Sequence, residues 1–245
     1  DSTCNYILTK MSVEKMSFDD ALKQAQEKGF AEADPTLDIE GFDTMHKIVI
    51  LSTLAFGKRI KEESVSVEGI KGIDIEDIKT AASLGYKMKL LGIAEKEGNT
   101  ANVRVHPAFV YRDRQLASVN NEFNAVYIKG DAVGDTLFYG KGAGEMPTAS
   151  AILSDIIYTA KNVSKGLKAG RFTESKEADV SYIDIDKIHS KYYLRFTVQD
   201  KPGVLSELSG ILGKYNIGIE SVIQKARHIT ESVPVVIMTY EAKEE

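Results

Sequence analysis

The sequence lacks the features that define several large classes of proteins. Its 245 residues include one cysteine, Cys4, so the chain cannot be a scaffold held by its own disulfides, and scarce cysteine is typical of a reducing compartment. No apolar run reaches the ~18–20 residues that span a bilayer, and the first residues lack the basic-then-apolar order of a signal peptide. Acidic residues outnumber basic ones, 36 against 31, which argues against a dedicated nucleic-acid binder. We therefore expect a soluble, cytoplasmic protein with no membrane or nucleic-acid partner.

The composition that remains is that of a globular protein. With 43% hydrophobic and 27% charged residues, the chain can bury a core and form one large domain or two modest ones at ~100–200 residues per domain. The net charge of −5 favours an acidic enzyme or a small-molecule binder.

Helical and extended patterns alternate in the first two thirds of the chain. Apolar residues three and four apart, with end signals such as Ser17, Gly29 and Gly57, predict helices at 17–29, 43–56 and 74–85 and from Pro147 onward. Strands are predicted at 65–70, 87–94, 101–110, 124–129 and 136–139. Helices followed by hairpins predict an α+β fold, with a mixed open sheet and helices on one face. The second half of helix 43–56 contains Ile50 and Leu54 and is expected to be deeply buried.

The composition changes near residue 161. Between 163 and 190 it is rich in Lys, Ser, Gly, Glu and Asp with little periodicity, which predicts a linker between a domain at 1–162 and a second at 191–245. The second domain is predicted to follow the order β-α-β-β, with a strand at 193–198, a helix at 204–215 and strands near 218–224 and 233–240.

An acidic loop at residues 30–42 leads directly into the helix at 43–56. Asp43 and Lys47 are four residues apart and therefore share one helix face. Two interpretations stay open on these residues alone. The loop can be an ordinary solvated acidic segment beside a surface ion pair, which the charges by themselves favour. Alternatively, its carboxylates can hold the ammonium group of a zwitterionic substrate while the lysine serves a hydroxyl or carbonyl group.

The glycine-rich segment at 140–144 follows a predicted strand and precedes a helix. Its spacing is G-x-G-x-G rather than G-x-G-x-x-G, and no second strand with an acidic end follows within a βαβ unit. By itself the segment is more typical of a tight loop than of a phosphate cradle.

The acidic loop and its neighbours resemble the signature segment of the homoserine dehydrogenase family. The matching positions are Ala25, Gly29, Phe30, Ala31, Asp34, Pro35, Asp38, Ile39, Gly41, Asp43 and Lys47. Other blocks of the family are similar to the first residues of the chain and to three later segments, LGYKMKLLGIA, VRVHPAFV and GKGAGEMPTASAILSD. The resemblance therefore covers about 1–162. The start departs from the family pattern, with Asp1, Ser2 and Cys4 where Asn, Gly and Thr are usual.

The resemblance implies an NAD(P)-dependent enzyme that interconverts L-homoserine and L-aspartate 4-semialdehyde. It makes Lys47 the proton donor or acceptor on the substrate oxygen, and Asp43 the residue that orients the substrate and this lysine. It also makes Glu32 the partner of the substrate amino group. The same pocket is lined by Asp38, Thr3 and the backbone of Phe30.

The resemblance also places the cofactor, NADP or NAD, at the edge of this chain. It implies cofactor contacts at Gly29 and Gly144, and assigns no metal ligand to these residues. The family's nucleotide-binding domain, with its second catalytic lysine and cation site, precedes the point that matches Asp1. We therefore expect a chain cut from a longer protein, with no turnover of its own.

The tail resembles an ACT domain, a ferredoxin-like regulatory module, here partial and ending after βαββ. The resemblance implies an amino-acid ligand, L-threonine as a feedback inhibitor, and pairing into a homodimer or higher oligomer. The residues assigned to the regulatory ligand are Asp200, Gly203, Val204, Asn216 and Ile217. The alternative for these residues is a plain strand-to-helix turn and core packing. For the whole chain, the alternatives are a non-catalytic amino-acid-binding regulatory protein and a self-associating scaffold.

Overall fold

The computed structural model describes residues 1–167, 181–183, 187–224 and 232–244. The chain divides into two compact units, Asp1–Tyr182 and Ile183–Glu245. Among the described residues, no helix combines the length and the apolar character that crossing a membrane requires.

The first unit places helices beside a mixed sheet. Its helices are α1 (Ser2–Val13), α2 (Phe18–Glu27), α3 (Thr36–Ile39), α4 (Phe42–Phe56), α5 (Ile75–Ser83) and α6 (Glu145–Ser164), with 3-10 turns at Glu62–Ser64 and Gln115–Ser118. Its strands are β1 (Ser66–Val67), β2 (Tyr86–Glu97), β3 (Thr100–Tyr111), β4 (Phe123–Gly130), β5 (Gly134–Lys141) and β6 (Ser181–Tyr182). The mixed sheet has the strand order β1-β3-β2, and β6 also pairs with β3. Strand β2 is antiparallel to β3, whereas β1 and β6 run parallel to it. The pair β4-β5 forms a separate antiparallel hairpin.

The described residues of the second unit include a small antiparallel sheet with a helix against it. Its elements are β7 (His189–Ser190), β8 (Tyr193–Gln199), α7 (Val204–Lys214), β9 (Ile219–Gln224), β10 (Ser232–Thr239) and β11 (Ala242–Lys243). The strand order is β8-β10-β9, and Leu212 of α7 packs with Val235 and Ile237 of β10 in the core. The predicted α+β class, with a βαββ module at its end, is confirmed.

Part of the predicted linker is ordered against the first unit. Strand β6 pairs with β3, and the hydroxyl of Tyr182 donates to the backbone oxygen of Arg59 at 2.9 Å. Residues 168–180 and 184–186 of the predicted linker lie outside the described residues.

Local sequence signals account for most helix ends. The Ser17 hydroxyl accepts the backbone N–H of Asp20 at 3.2 Å, as expected for an N-cap. Helix α4 ends at Gly57, whose φ of +69° suits glycine. Helix α1 was not predicted, because its polar Ser2 and Thr3 are buried along with its apolar residues, so no polar face marks it as a helix. Helix α3 is a single turn within the segment predicted to be irregular.

The predicted burial of the second half of α4 is wrong for Ile50 and Leu54, which are 60% and 61% exposed. The helix packs on the sheet through Thr44 and Ile48, which lie over Gly92 of β2. Ile50 and Leu54 lie on another side of the helix, beside residues 59–63, and stay largely exposed.

Candidate active site

Glycines fix the position of α4 and of the side chains it carries. Gly41 begins the helix with a φ of +87°, which an L side chain rarely adopts. A Cβ at Gly92 would lie only 3.0 Å from Cβ of Ile48, so α4 lies close to the backbone of β2.

In the first two turns of α4, Asp43 accepts from Nζ of Lys47 at 2.5 Å, with the lysine half exposed. The predicted ion pair on one helix face is therefore formed.

The first turn of α1 contacts the acidic loop through Thr3 and Cys4. The Thr3 hydroxyl lies 2.6 Å from the backbone oxygen of Phe30 and 3.0 Å from Oδ2 of Asp38. The Cys4 thiol donates to the backbone oxygen of Asp38 at 3.1 Å. The structure thus brings together Thr3, Phe30 and Asp38, three of the residues that the family resemblance assigns to the substrate pocket.

Three carboxylates converge beside Lys47. One oxygen each of Asp1, Asp38 and Asp43 lie within 4.8 Å of one another. The pKa of Asp38 is raised above its ordinary value, mainly because the side chain is partly buried. The hydrogen bond from Thr3 lowers this pKa, and the negative charge of Asp43 raises it. Asp1 was not among the predicted site residues, although its carboxylate caps α1 by accepting the N–H of Thr3 at 2.9 Å. The arrangement offers acceptors for an ammonium group and one lysine for an oxygen atom.

Glu32 is not brought into this cluster. The residue is exposed, and its backbone oxygen accepts from the side chain of Gln26 at 3.0 Å.

Gly29, with a φ of +72°, immediately precedes Phe30, and apart from its chain neighbours no atom lies within 4 Å of the position of a Cβ there. The structure therefore places Gly29 beside the pocket with open space next to it.

The glycine-rich segment contacts the first turn of α1. A Cβ at Gly142 would lie 1.8 Å from Nδ2 of Asn124 and 2.6 Å from Oγ of Ser2. Asn124 donates to Oγ of Ser2 at 3.2 Å. Gly144 precedes α6 with a φ of +115°. A side chain at Gly142 would therefore displace those of Asn124 and Ser2, and the pattern of glycines in 140–144 was the signal for this close contact.

Lys89, on β2, was not among the predicted site residues, and it is only 6% exposed. Its Nζ donates to Oδ1 of Asn5 at 2.8 Å and to the backbone oxygen of Val119. Burial, followed by the charge of Lys87, lowers the pKa of Lys89 to about 8. No local signal separates Lys89 from Lys87, two residues earlier in the same predicted strand.

In the second unit, a groove of about 460 Å³ lies at the turn between β8 and α7. Asp200, Gly203 and Val204 line it, and Gly203 begins α7 with a φ of +97°. Asn216 and Ile217 are not among its lining residues, and Ile217 packs against the core instead. The structure therefore groups the first three predicted regulatory residues and separates the other two from them.

We expect the Cys4 thiol to react slowly in the native protein. Its side chain is 0% exposed, and burial raises its pKa to about 12. Because the thiolate is the reactive species, maleimide labelling at pH 8 should be roughly a thousandfold slower than in urea-unfolded protein. A native rate equal to the unfolded rate would show that the first turn of α1 is open.

Comparison with known proteins identifies relatives along the whole chain. The sequence profile of homoserine dehydrogenase matches residues 1–157, and that of the ACT domain matches residues 192–245. A homoserine dehydrogenase from Neisseria gonorrhoeae is 42% identical over 249 residues, covering 100% of this chain and 57% of the relative. A homoserine dehydrogenase structure from Thiobacillus denitrificans superposes with a TM-score of 0.90 at 40% identity, covering 100% of this chain and 56% of that one.

A more distant structure is a hyperthermophilic archaeal homoserine dehydrogenase mutant in complex with NADPH. It is 27% identical with a TM-score of 0.53, covering 69% of this chain and 47% of that one. The chain spans a little over half the length of the first two relatives. The resemblance seen in the sequence is confirmed: the chain belongs to the homoserine dehydrogenase family and ends in an ACT domain.

Proposed function

We propose that this chain supplies the substrate-binding and proton-transfer part of an enzyme that interconverts L-homoserine and L-aspartate 4-semialdehyde. The observation that carries the proposal is the Lys47–Asp43 pair at 2.5 Å, beside the carboxylates of Asp1 and Asp38. In this proposal residues 1–162 form the substrate-binding and dimerisation domain, and residues 191–245 form the regulatory domain. A dimer and a cytoplasmic location stay predictions from the sequence.

The chemistry assigns Lys47 the transfer of a proton. As the C4 carbon of homoserine loses a hydride, its hydroxyl oxygen must lose a proton, and a lysine within hydrogen-bond reach can accept it. Asp43 holds Nζ of Lys47 at 2.5 Å and so orients it. In the proposed function Asp38, which accepts a hydrogen bond from Thr3, accepts another from the substrate ammonium. The exposed Glu32 keeps this role only as a prediction.

The cofactor, NADP or NAD, would accept the hydride when bound. The residues present fit one edge of a dinucleotide, because open space adjoins Gly29 and the exposed Gly144 leads into the first turn of α6. Backbone N–H groups at a helix start favour an anionic group. Gly29 and Gly144 are therefore the proposed contacts, with the larger share of binding outside this chain.

The test uses a chimera, defined as the Neisseria gonorrhoeae relative with its matching 57% replaced by this chain. We expect the chimera to reduce NADP or NAD in the presence of L-homoserine, and the chain alone to show no turnover. The measurement is the absorbance of the reduced cofactor at 340 nm. A folded chimera without homoserine oxidation would contradict the proposal and would favour the non-catalytic, amino-acid-binding alternative.

We also propose that the second unit binds L-threonine in the groove at Asp200, Gly203 and Val204. The groove lies at the turn from β8 to α7 in a segment that matches the ACT domain. Because a charge-assisted hydrogen bond is worth about 1.5–3 kcal/mol, we expect Asp200→Ala to weaken threonine binding about tenfold or more. Calorimetric titration measures the affinity, and Glu207→Ala, exposed on α7 and absent from the groove lining, is the control. No binding heat, or equal weakening by both variants, would contradict this role.

A further inference from the structure

Lys89 is a buried cation with an unusual set of partners. Its Nζ contacts two neutral oxygens, Oδ1 of Asn5 at 2.8 Å and the backbone oxygen of Val119. No carboxylate forms an ion pair with it in the part of the chain that the structure describes. Burying an ammonium group without an opposite charge costs free energy, which two neutral acceptors offset only in part. The contacts of Lys89 therefore point to a role beyond stability.

The side chain of Asn5 connects Lys89 to the start of β4 and the residues before it by hydrogen bonds. Its Oδ1 accepts from Lys89, which leaves Nδ2 to donate to the backbone oxygens of Asn121 at 3.1 Å and Phe123 at 2.9 Å. One helical turn later, the hydroxyl of Thr9 accepts the N–H of Asn121 at 3.1 Å. Helix α1 is thereby tied to the segment that enters β4.

The two elements joined in this way carry the two sides of the candidate site. Two residues before Asn5, Thr3 contacts Asp38 and the oxygen of Phe30. Immediately after Phe123, Asn124 contacts Ser2 and packs against Gly142. A small shift of α1 against β4 would move Thr3 away from the carboxylates and open the contact with the glycine-rich segment.

We propose that Lys89 is a positioning residue for the substrate site: through Asn5 it fixes the first turn of α1, which carries Thr3, against the start of β4. The inference rests on the proposed function only in taking homoserine as the ligand of this site. Lys89 does not touch the ligand position itself. It acts by holding Thr3, and hence Asp38, in the geometry that accepts the substrate ammonium.

The test compares Lys89→Met, which removes the donor, with Lys89→Gln, whose amide can still donate to Asn5. Lys87→Met is the matched control, because Lys87 is partly buried two residues earlier on the same face of β2. In the chimera we expect Lys89→Met to raise KM for homoserine about tenfold with kcat within about twofold, since uniform binding is lost. Lys89→Gln should recover most of the affinity, and Lys87→Met should change little.

A second readout uses the chain alone and does not depend on activity. Cys4 lies beside Thr3 in the first turn of α1, so Lys89→Met should speed its maleimide labelling more than Lys87→Met does. If the unsubstituted chimera is inactive, the proposed function fails, and the labelling rates still decide the role of Lys89. The inference is overturned if Lys89→Met matches Lys87→Met in labelling, or if it lowers kcat while KM stays unchanged.

Discussion

The Lys47→Met substitution is expected to lower kcat for homoserine oxidation by the chimera by ~10²–10⁴-fold, the usual contribution of general acid–base catalysis. Methionine matches the length and helix propensity of lysine, and the Lys47 side chain is 51% exposed, so α4 should keep its fold. The substitution removes the group that accepts the substrate proton in the proposed function. Steady-state kinetics at saturating homoserine measures the effect.

Lys79→Met provides the matched control for this experiment. Lys79 lies on α5, its side chain is 45% exposed, and it pairs with Glu76 at 2.7 Å, so the substitution removes a comparable helical ion pair away from the site. It should leave kcat within about twofold, because surface pairs contribute little. A Lys47→Met enzyme that keeps a tenth or more of the parent kcat would contradict the assigned role.

The Gly69→Ala substitution is expected to lower the free energy of unfolding of the first unit by about 3 kcal/mol. A Cβ at Gly69 would lie 2.1 Å from the backbone oxygen of Ile39 and 2.5 Å from Cα of Glu40. Backbone cannot rotate away as a side chain can, so the loop must shift. The hydrogen bond from Ile70 N–H to the same oxygen, at 2.7 Å, would be strained. Urea unfolding followed by circular dichroism measures the loss.

The same shift should weaken homoserine binding, because the displaced segment lies between Asp38 and Asp43. Gly72→Ala is the control, since nothing lies within 4 Å of a Cβ at Gly72, and it should leave the unfolding midpoint nearly unchanged. Equal midpoints for the two variants would show that the loop yields without cost and that Gly69 does not position the site.

The sequence was informative where chemistry is local. Asp43 and Lys47 are four residues apart, so the helical period alone placed them together. Ser17 and Gly57 marked helix ends by their capping chemistry. The positions of Thr3 and Asp38 followed from the family resemblance, because no local rule joins residues 35 positions apart.

The missed features depend on tertiary contacts. Lys89 looks like any lysine on a half-buried strand until Asn5 and Val119 surround it. Gly69 carries no turn signal, and only the approach of the Ile39–Glu40 backbone makes it necessary. The exposure of Ile50 and Leu54 could not be read from their apolar character, since the period of a helix does not say which side meets the sheet.

The hydrogen bonds that join α1 to the β4-β5 hairpin also bear on how the protein folds. Together with the bond between Thr9 and Asn121, they connect residues 112 to 122 positions apart in the sequence, and closing a loop of that length carries an entropy cost before any contact offsets it. During synthesis, the first turn of α1 can contact Phe30 and Asp38 early, whereas its partners in β4 and at Gly142 exist only after those residues have left the ribosome. The candidate site is therefore completed late, after most of the first unit has been synthesised.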